Sequence, residues 1–225
     1  MRFIHYVLCI TAIFATLFGS ARAGVIIGGT RVIFDGHKKE ASLNINNPDN
    51  AAYLIQSWME SANGGSENVP FIITPPLYRL DKGQQNVERI VMTDSLPQQK
   101  ESLFWLNIKA IPSASQKQNT LQIAVKTRIK LIYRPAGLAG SLPEEEADKL
   151  TWKVSGDRLL VSNPGRFVMN FNEVRIGNNK VEDATYVLPG ATASFSLPKG
   201  HPRGSLSFKL INDFGSTGAE HRASL

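Results

Sequence analysis

Residues 121–133 read Leu-Gln-Ile-Ala-Val-Lys-Thr-Arg-Ile-Lys-Leu-Ile-Tyr. The odd positions are apolar except for Thr127, and the even positions are mostly polar or basic. This period of two predicts a single β-strand over Leu121–Tyr133, far longer than the usual strand of about five or six residues. A strand that is apolar on one face needs a cover, and at a sheet edge it would invite pairing with another chain.

The residues before this stretch form short runs of β-forming side chains separated by turn residues. The turns are typical of hairpins and loops: Asp35-Gly36, 47–50, 63–66 and 81–83. The runs predict strands near Val25–Phe34, Ala41–Asn46, Tyr53–Glu60, Phe71–Thr74, Val87–Met92 and Leu103–Ile111. With the long strand, this makes about seven strands in roughly a hundred residues, which is typical of an immunoglobulin-like sandwich.

A second β-rich region follows a break. Residues 134–143 are rich in Gly, Ala and Pro, and the acidic run 144–150 reads as a solvated face or the first turn of a helix. Further strands are predicted near Trp152–Val154, Arg158–Ser162, Met169–Ile176, Thr185–Leu188, Ala193–Leu197 and Leu206–Ile211. We therefore predict an all-β protein with two immunoglobulin-like β-sandwich domains, residues 24–143 and 144–225, joined by a short linker.

The first 23 residues have the features of a cleaved signal peptide. A positive start at Met1-Arg2 precedes the apolar run 3–18, and Ser20-Ala21-Arg22-Ala23 ends in a small-x-small pattern. The run is short for a membrane-spanning helix of about 20 residues. We predict cleavage after Ala23, an exported protein, and no membrane insertion.

Composition narrows the chemistry further. The single cysteine, Cys9, leaves with the signal, so the core and not disulfides must stabilise the exported chain. The formal net charge of +6 is mildly basic, but export argues against a nucleic-acid partner. About 200 residues remain after cleavage, enough for one large or two medium domains.

No catalytic or metal-binding motif stands out. The chain has no Gly-x-Ser-x-Gly motif and no phosphate-binding glycine loop, and its histidines lack ligand spacing: His5, His37, His201 and His221. We predict a binding protein without cofactor or metal, not an enzyme. A hydrolase with a triad assembled from distant residues remains an alternative.

Several long segments resemble the PapD-like periplasmic pilus chaperones. They occur in the family's order, and they are 24–34, 53–58, 71–77, 96–112, 128–135 and, in the second domain, 211–215. The match is nearest to the chaperones of type 1 pili. The resemblance implies a cleft between the two domains, a periplasmic location, pilus subunits as clients, and delivery of these subunits to an outer-membrane usher.

The resemblance also implies which strand is lent to the client. Pilus subunits are incomplete sandwiches, and the chaperone supplies the missing strand by donor-strand complementation. Leu121, Ile123 and Val125 share one parity and are the expected donor residues. Ordinary core packing is the alternative, and we expect it for Ile129 and Leu131.

Two groups of charged residues match the family's functional positions. Arg31 and Lys130 correspond to the cleft anchor for the client's terminal carboxylate, where solvated strand charges are the alternative. Lys130 has the opposite parity to Leu121, and a β-bulge or a strong twist of the strand would reconcile the two roles. The other group, Glu101, Arg134 and Asp213, is expected to fix the angle between the domains.

Two further expectations concern relatives and partners. The short connection 113–120, without cysteines, matches the branch that serves rod-like pili. An exposed aliphatic edge is a liability, so self-association of the free protein is an expected way to cover it. A secreted adhesin or other ligand-binding module is the runner-up to the chaperone hypothesis.

Overall fold

The computed structural model describes residues 24–114, 120–198, 200 and 204–225. The predicted signal peptide, residues 1–23, and residues 115–119 of the connection lie outside the described residues. In the part that is described, no helix combines the length and apolar character needed to cross a bilayer.

The first domain is a sandwich of two sheets. Its strands are β1 (Ile26–Ile27), β2 (Arg31–Asp35), β3 (Glu40–Asn46), β4 (Tyr53–Ser61), β5 (Phe71–Thr74), β6 (Leu77–Leu80), β7 (Gln85–Met92), β8 (Ser102–Pro112) and β9 (Val125–Arg134). One sheet has the order β1-β3-β7-β5 and the other β2-β9-β8-β4-β6. Alternate side chains of both sheets meet in one core that includes Phe34, Ile45, Ile55, Ile90, Leu106 and Leu131.

The predicted strand Val25–Phe34 is in fact two strands in different sheets. β1 pairs antiparallel with β3, whereas β2 pairs parallel with β9. The chain crosses over at Gly28, whose N–H donates to the Asn44 carbonyl at 2.8 Å. A Cβ at Gly28 would lie 3.0 Å from that oxygen, so the close approach of the two backbones suits glycine.

The long predicted strand is also shorter than expected. β9 begins at Val125, and residues 121–124 have no strand structure. The antiparallel register with β8 runs without a shift from Ser102 opposite Tyr133 to Ala110 opposite Val125. The bulge that would have brought Lys130 to the donor face is therefore absent.

The second domain is a smaller sandwich. Its strands are β10 (Thr151–Ser155), β11 (Arg158–Ser162), β12 (Met169–Ile176), β13 (Asn179–Lys180), β14 (Tyr186–Val187), β15 (Thr192–Ser196), β16 (Leu206–Ile211) and β17 (Thr217–Ala223). The sheet β10-β11-β15 packs on the sheet β13-β12-β16-β17, in which β14 also pairs with β12. The two domains are connected by short 3-10 helices at Ala136–Leu138 and Pro143–Lys149.

Candidate functional site

Arg31 and Lys130 are neighbours at the boundary between the domains. Arg31 is the first residue of β2, and it lies directly opposite Lys130 of the parallel strand β9. Both side chains reach the second domain: Arg31 Nη1 donates to the Ile211 carbonyl at 3.4 Å, and Lys130 Nζ donates to Asn170 Oδ1 at 2.5 Å. The structure thus brings the two sequence-predicted anchor residues together where the domains meet, at the position of the expected cleft.

The face on which Lys130 lies follows from simple alternation. Ile132, two residues further along β9, packs with Leu103 of the first domain and Val168 of the second. Lys130 and Ile132 therefore face the second domain, while Ile129 and Leu131 lie in the core of the first, as predicted. Donor and anchor residues can belong to one regular strand because they use its opposite faces.

The electrostatic environment of the anchor favours an anion. Burial, together with the charge of Arg31, lowers the pKa of Lys130 to about 8. Burial also lowers the pKa of Arg31, an effect that the charge of Asp213 opposes. Arg31 Nε is buried and has no hydrogen-bond partner among the described residues. Two half-buried cations and an unused donor would all gain from a bound carboxylate.

Aromatic rings from both domains support Lys130. Its Nζ lies 4.5 Å from the ring centroid of Tyr186 and 5.8 Å from that of Trp105, and the two rings are themselves 6.1 Å apart. Ring faces stabilise a cation without neutralising it. The sequence analysis did not identify Asn170, Tyr186 or Trp105. Asn170 and Tyr186 belong to the second domain, and they reach the cleft only because that domain docks on the first.

The cationic row continues along β9 away from the cleft. Arg128 lies over the Trp105 ring at 4.2 Å and Lys126 over the Trp58 ring at 4.8 Å. Glu60 pairs with both cations, with Arg128 at 3.1 Å and with Lys126 at 3.7 Å. The outer face of β9 is thus held in a fixed arrangement of rings and charges that leads to Lys130.

The predicted donor residues are strongly exposed. Leu121 is 84% exposed, Ile123 68% and Val125 57%, in contrast to the buried aliphatic residues further along the strand. Ile123 and Val125 line an apolar cavity of about 130 Å³ at the end of the sandwich core, together with Val25 and Ile108. Ordinary core packing therefore does not account for these three side chains.

The backbone edge beside them is open. Over residues 125–129, β9 pairs with β8 on one side and with no described strand on the other, because β2 joins β9 only from Lys130 onward. An open edge with exposed apolar side chains is the arrangement that accepts an additional strand.

A buried ionic network joins the domains beyond the anchor. Arg134 Nε donates to Glu101 Oε1 at 2.7 Å, and its Nη1 and Nη2 donate to the two carboxylate oxygens of Asp213 at 2.6 and 2.8 Å. Glu101 Oε2 accepts the Val168 N–H at 2.7 Å. The structure brings together all three residues that the sequence assigned to this network, Glu101, Arg134 and Asp213.

The pKa shifts in this network reflect burial and pairing. Burial raises the pKa of Glu101 to about 7, against the lowering effect of Arg134 and the Val168 N–H. Burial alone would lower the pKa of Arg134, but the hydrogen bonds to Asp213 and the charge of Glu101 more than offset this and raise it. Arg134 stays charged, and both carboxylates are bound to it.

Curated relatives of this chain are fimbrial chaperones. It is 46% identical over 201 residues to a probable fimbrial chaperone, LpfB, of Escherichia coli O157:H7, covering 86% of this chain and 85% of LpfB. Identity to the Salmonella typhimurium chaperone LpfB is 43%, with 88% of each chain covered. Identity to the Escherichia coli K12 chaperone FimC is 40%, covering 88% of this chain and 83% of FimC. The expectation that this chain is nearest to the chaperones of type 1 pili is therefore not confirmed.

Solved structures show the same architecture. A chain in the complex of the Salmonella enterica SafA pilin with the SafB chaperone superposes with a TM-score of 0.83 at 34% identity, covering 92% of this chain and 99% of that chain. For the periplasmic chaperone SfaE, the TM-score is 0.76 at 35% identity, and the superposition covers 88% of this chain and 98% of SfaE. These neighbours confirm the two-domain, all-β fold and favour the chaperone hypothesis over the adhesin.

Family models cover both domains. Residues 24–139 match the N-terminal domain of the PapD pili and flagellar-assembly chaperones, and residues 145–222 match the PapD C-terminal domain. The fold, the interdomain cleft and the relatives point the same way: the chain belongs to the PapD family of pilus assembly chaperones.

Proposed function

We propose that this protein is a periplasmic chaperone that binds pilus subunits by donor-strand complementation and delivers them to an outer-membrane usher. The observation that carries the proposal is the open edge of β9, which ends at Arg31 and Lys130. The chaperone acts without nucleotide or metal, and subunit folding and strand exchange supply the free energy. The short connection between β8 and β9 supports a role with rod-like pili.

The strand pairing suggests how a subunit binds. β2 is parallel to β9 and starts opposite Lys130, where the open part of the β9 edge ends. A subunit strand that adds to this edge in the parallel direction lies in line with β2, with its C-terminus at Arg31. Its carboxylate then meets the unused Nε of Arg31 and the ammonium of Lys130.

The exposed side chains supply the rest of the binding energy. Leu121, Ile123 and Val125 lie beside the open edge and enter the groove that the missing strand leaves in the subunit. At about 25 cal/mol per Å² of apolar surface, three aliphatic side chains contribute several kcal/mol before the costs of association. When the subunit binds, residues 121–124 become extended and lengthen β9 at its start.

The test is coexpression in the periplasm with a pilus subunit whose gene neighbours the gene of this protein. We expect a soluble one-to-one complex with the wild type and its loss with Arg31→Ala and with Lys130→Ala. Arg79→Ala is the matched control, because Arg79 is 69% exposed and pairs only with the nearby Asp81 among the described acidic residues. A complex that survives both cleft substitutions would overturn the anchor, and no complex with any subunit would overturn the chaperone function.

A further inference from the structure

The turn between β16 and β17 presents an exposed aromatic side chain beside the cleft. Phe214 is 91% exposed, more than any other large apolar side chain among the described residues. Leu121 follows at 84%, and it already has a role as a donor residue. A single exposed apolar residue is common on protein surfaces, so the case for Phe214 depends on how and where it is held.

The turn that carries Phe214 is fixed by hydrogen bonds on both sides. Asn212 Oδ1 accepts the N–H groups of Phe214 at 3.1 Å and of Ser216 at 2.9 Å. The Asp213 side chain is held by the two hydrogen bonds from Arg134. The ring is therefore presented by an ordered backbone, and a partner that covers it need not order the turn first.

The same turn lies against the residues that begin the anchor. Ile211, immediately before the turn, accepts a hydrogen bond from Arg31 Nη1. Gly215, immediately after Phe214, packs so closely on Thr30 that a Cβ there would lie 2.5 Å from Thr30 Oγ1. Gly215 also has a φ of +85°, so this close packing requires glycine. Phe214 is thus placed at the Arg31 end of the cleft.

We propose that Phe214 packs against the apolar part of the last residues of a bound pilus subunit, and so reads the side chain next to the carboxylate. The inference rests on the proposed function, because the carboxylate at Arg31 and Lys130 is what brings the chain end to this turn. An apolar ring on a rigid turn, next to a charged anchor, combines the two kinds of contact that dominate binding hot spots. The second domain thereby contributes to the choice of subunit.

The test uses the intact complex of the chaperone with a pilus subunit that copurifies with the wild type. The complex is mixed with an excess of tagged wild-type chaperone, and transfer of the subunit is followed with time. We expect Phe214→Ser to speed the transfer about tenfold, which corresponds to about 1.4 kcal/mol. Ile72→Ser is the matched control, because Ile72 is 52% exposed on β5, in the sheet of the first domain that does not contain β9.

A second substitution, in the subunit, separates direct contact from an indirect effect. Truncating the apolar side chain nearest the subunit's C-terminus to Ala should speed its release from the wild type but not from the Phe214→Ser variant. Equal acceleration from both chaperones, or a Phe214→Ser complex as long-lived as the wild type, would overturn the inference. A wild type that forms no complex would overturn the proposed function as well. Equal thermal unfolding of all chaperones excludes a loss of folding.

Discussion

Arg134 and Asp213 join the two domains through a pair of hydrogen bonds, 2.6 Å from Nη1 and 2.8 Å from Nη2. Arg134 is the last residue of β9, the strand that carries Lys130 in its middle and the exposed Val125 at its start. One strand thus connects the open edge, the cationic anchor and the domain interface. A change at the interface is expected to move the anchor, because Arg134 continues a strand that is held in register with β8 from Val125 to Tyr133.

Breaking this pair should destabilise the protein. The side chains of Arg134 and Asp213 are 10% and 17% exposed, so removing the acid leaves a nearly buried cation with fewer partners. We expect Asp213→Ala to lower the free energy of unfolding by about 2 to 3 kcal/mol in urea denaturation. Asp81→Ala, which breaks the exposed pair with Arg79, should cost less than about 1 kcal/mol. Equal losses would contradict this account.

Subunit binding should weaken at alkaline pH. The pKa of Lys130 is lowered to about 8 in the folded protein, so the ammonium loses its proton as the pH rises through this value. We expect the dissociation constant of the subunit to rise from neutral pH to about pH 9, because the free protein must then take up a proton at Lys130 to hold the carboxylate, while the Lys130→Arg variant, which stays charged, changes little over this range. A wild-type dissociation constant that does not depend on pH would argue against Lys130 as a carboxylate ligand.

A buried carboxyl group in the first domain should make its stability depend on pH. Glu88 is fully buried; Ser57 and Tyr78 donate to Oε1 at 2.6 and 3.1 Å, and Oε2 has no partner among the described residues. Burial raises the pKa of Glu88 above its ordinary value of 4.5. Its contribution to stability is thus fully present below pH 4.5 and is lost as the pH rises through the folded pKa.

Replacing Glu88 with glutamine tests this dependence. The Glu88→Gln variant keeps a carbonyl oxygen for Ser57 and Tyr78 but cannot ionise. We expect it to be more stable than the wild type above neutral pH, and the difference to shrink on acidification, in urea denaturation across the pH range. A difference that stays constant with pH would show that ionisation of Glu88 does not govern stability.

The parity of the donor residues gives a sharp test. Ile123→Asp should abolish the complex with a pilus subunit, because the charge would enter the subunit's groove. Gln122→Asp is the control one residue away on the opposite face, and it should leave the complex intact. Both positions are exposed, so neither change is expected to alter thermal unfolding of the free protein. Loss of the complex with both variants would contradict the assignment of faces.

The free protein should associate through the same edge. Leu121, Ile123 and Val125 form an exposed apolar row beside unpaired backbone, which a second copy of the chain can cover. We expect sedimentation to show a dimer that dissociates on dilution and that Ile123→Asp removes. A monomer mass at all concentrations would contradict this prediction.

Alternation in the sequence predicted which side chains face which layer, but not where pairing stops. The period of two continues through Leu121 and Gln122, yet no described strand pairs with them, because periodicity reports the faces of a strand and not its partners. The run Val25–Phe34 likewise has the pattern of one strand but forms two, β1 and β2. The backbone contact between Gly28 and Asn44, which moves the chain to the other sheet, involves residues distant in sequence.

The sequence predicted those site residues whose own charge suggests a role. It did not predict the residues whose role depends on how the folded chain packs around them. Arg31, Lys130 and the network of Arg134 were identified through the resemblance to a family. Asn170 and Tyr186 reach Lys130 only through the docking of the second domain, and Glu88 is buried although neighbouring Val87 is 44% exposed. No local pattern distinguishes a buried glutamate from a solvated one on such a strand.

The start of β2 opposite Lys130 has a consequence for what the open edge selects. From Lys130 onward the edge of β9 is occupied by the chaperone's own chain, so a guest strand running parallel to β9 can extend backwards from Arg31 but not past it. An internal segment of a polypeptide would have to turn away there, whereas a chain terminus simply stops. In the proposed binding mode, the edge would therefore accept a polypeptide only by its C-terminal end, and the last residue of the guest would set its register against β9.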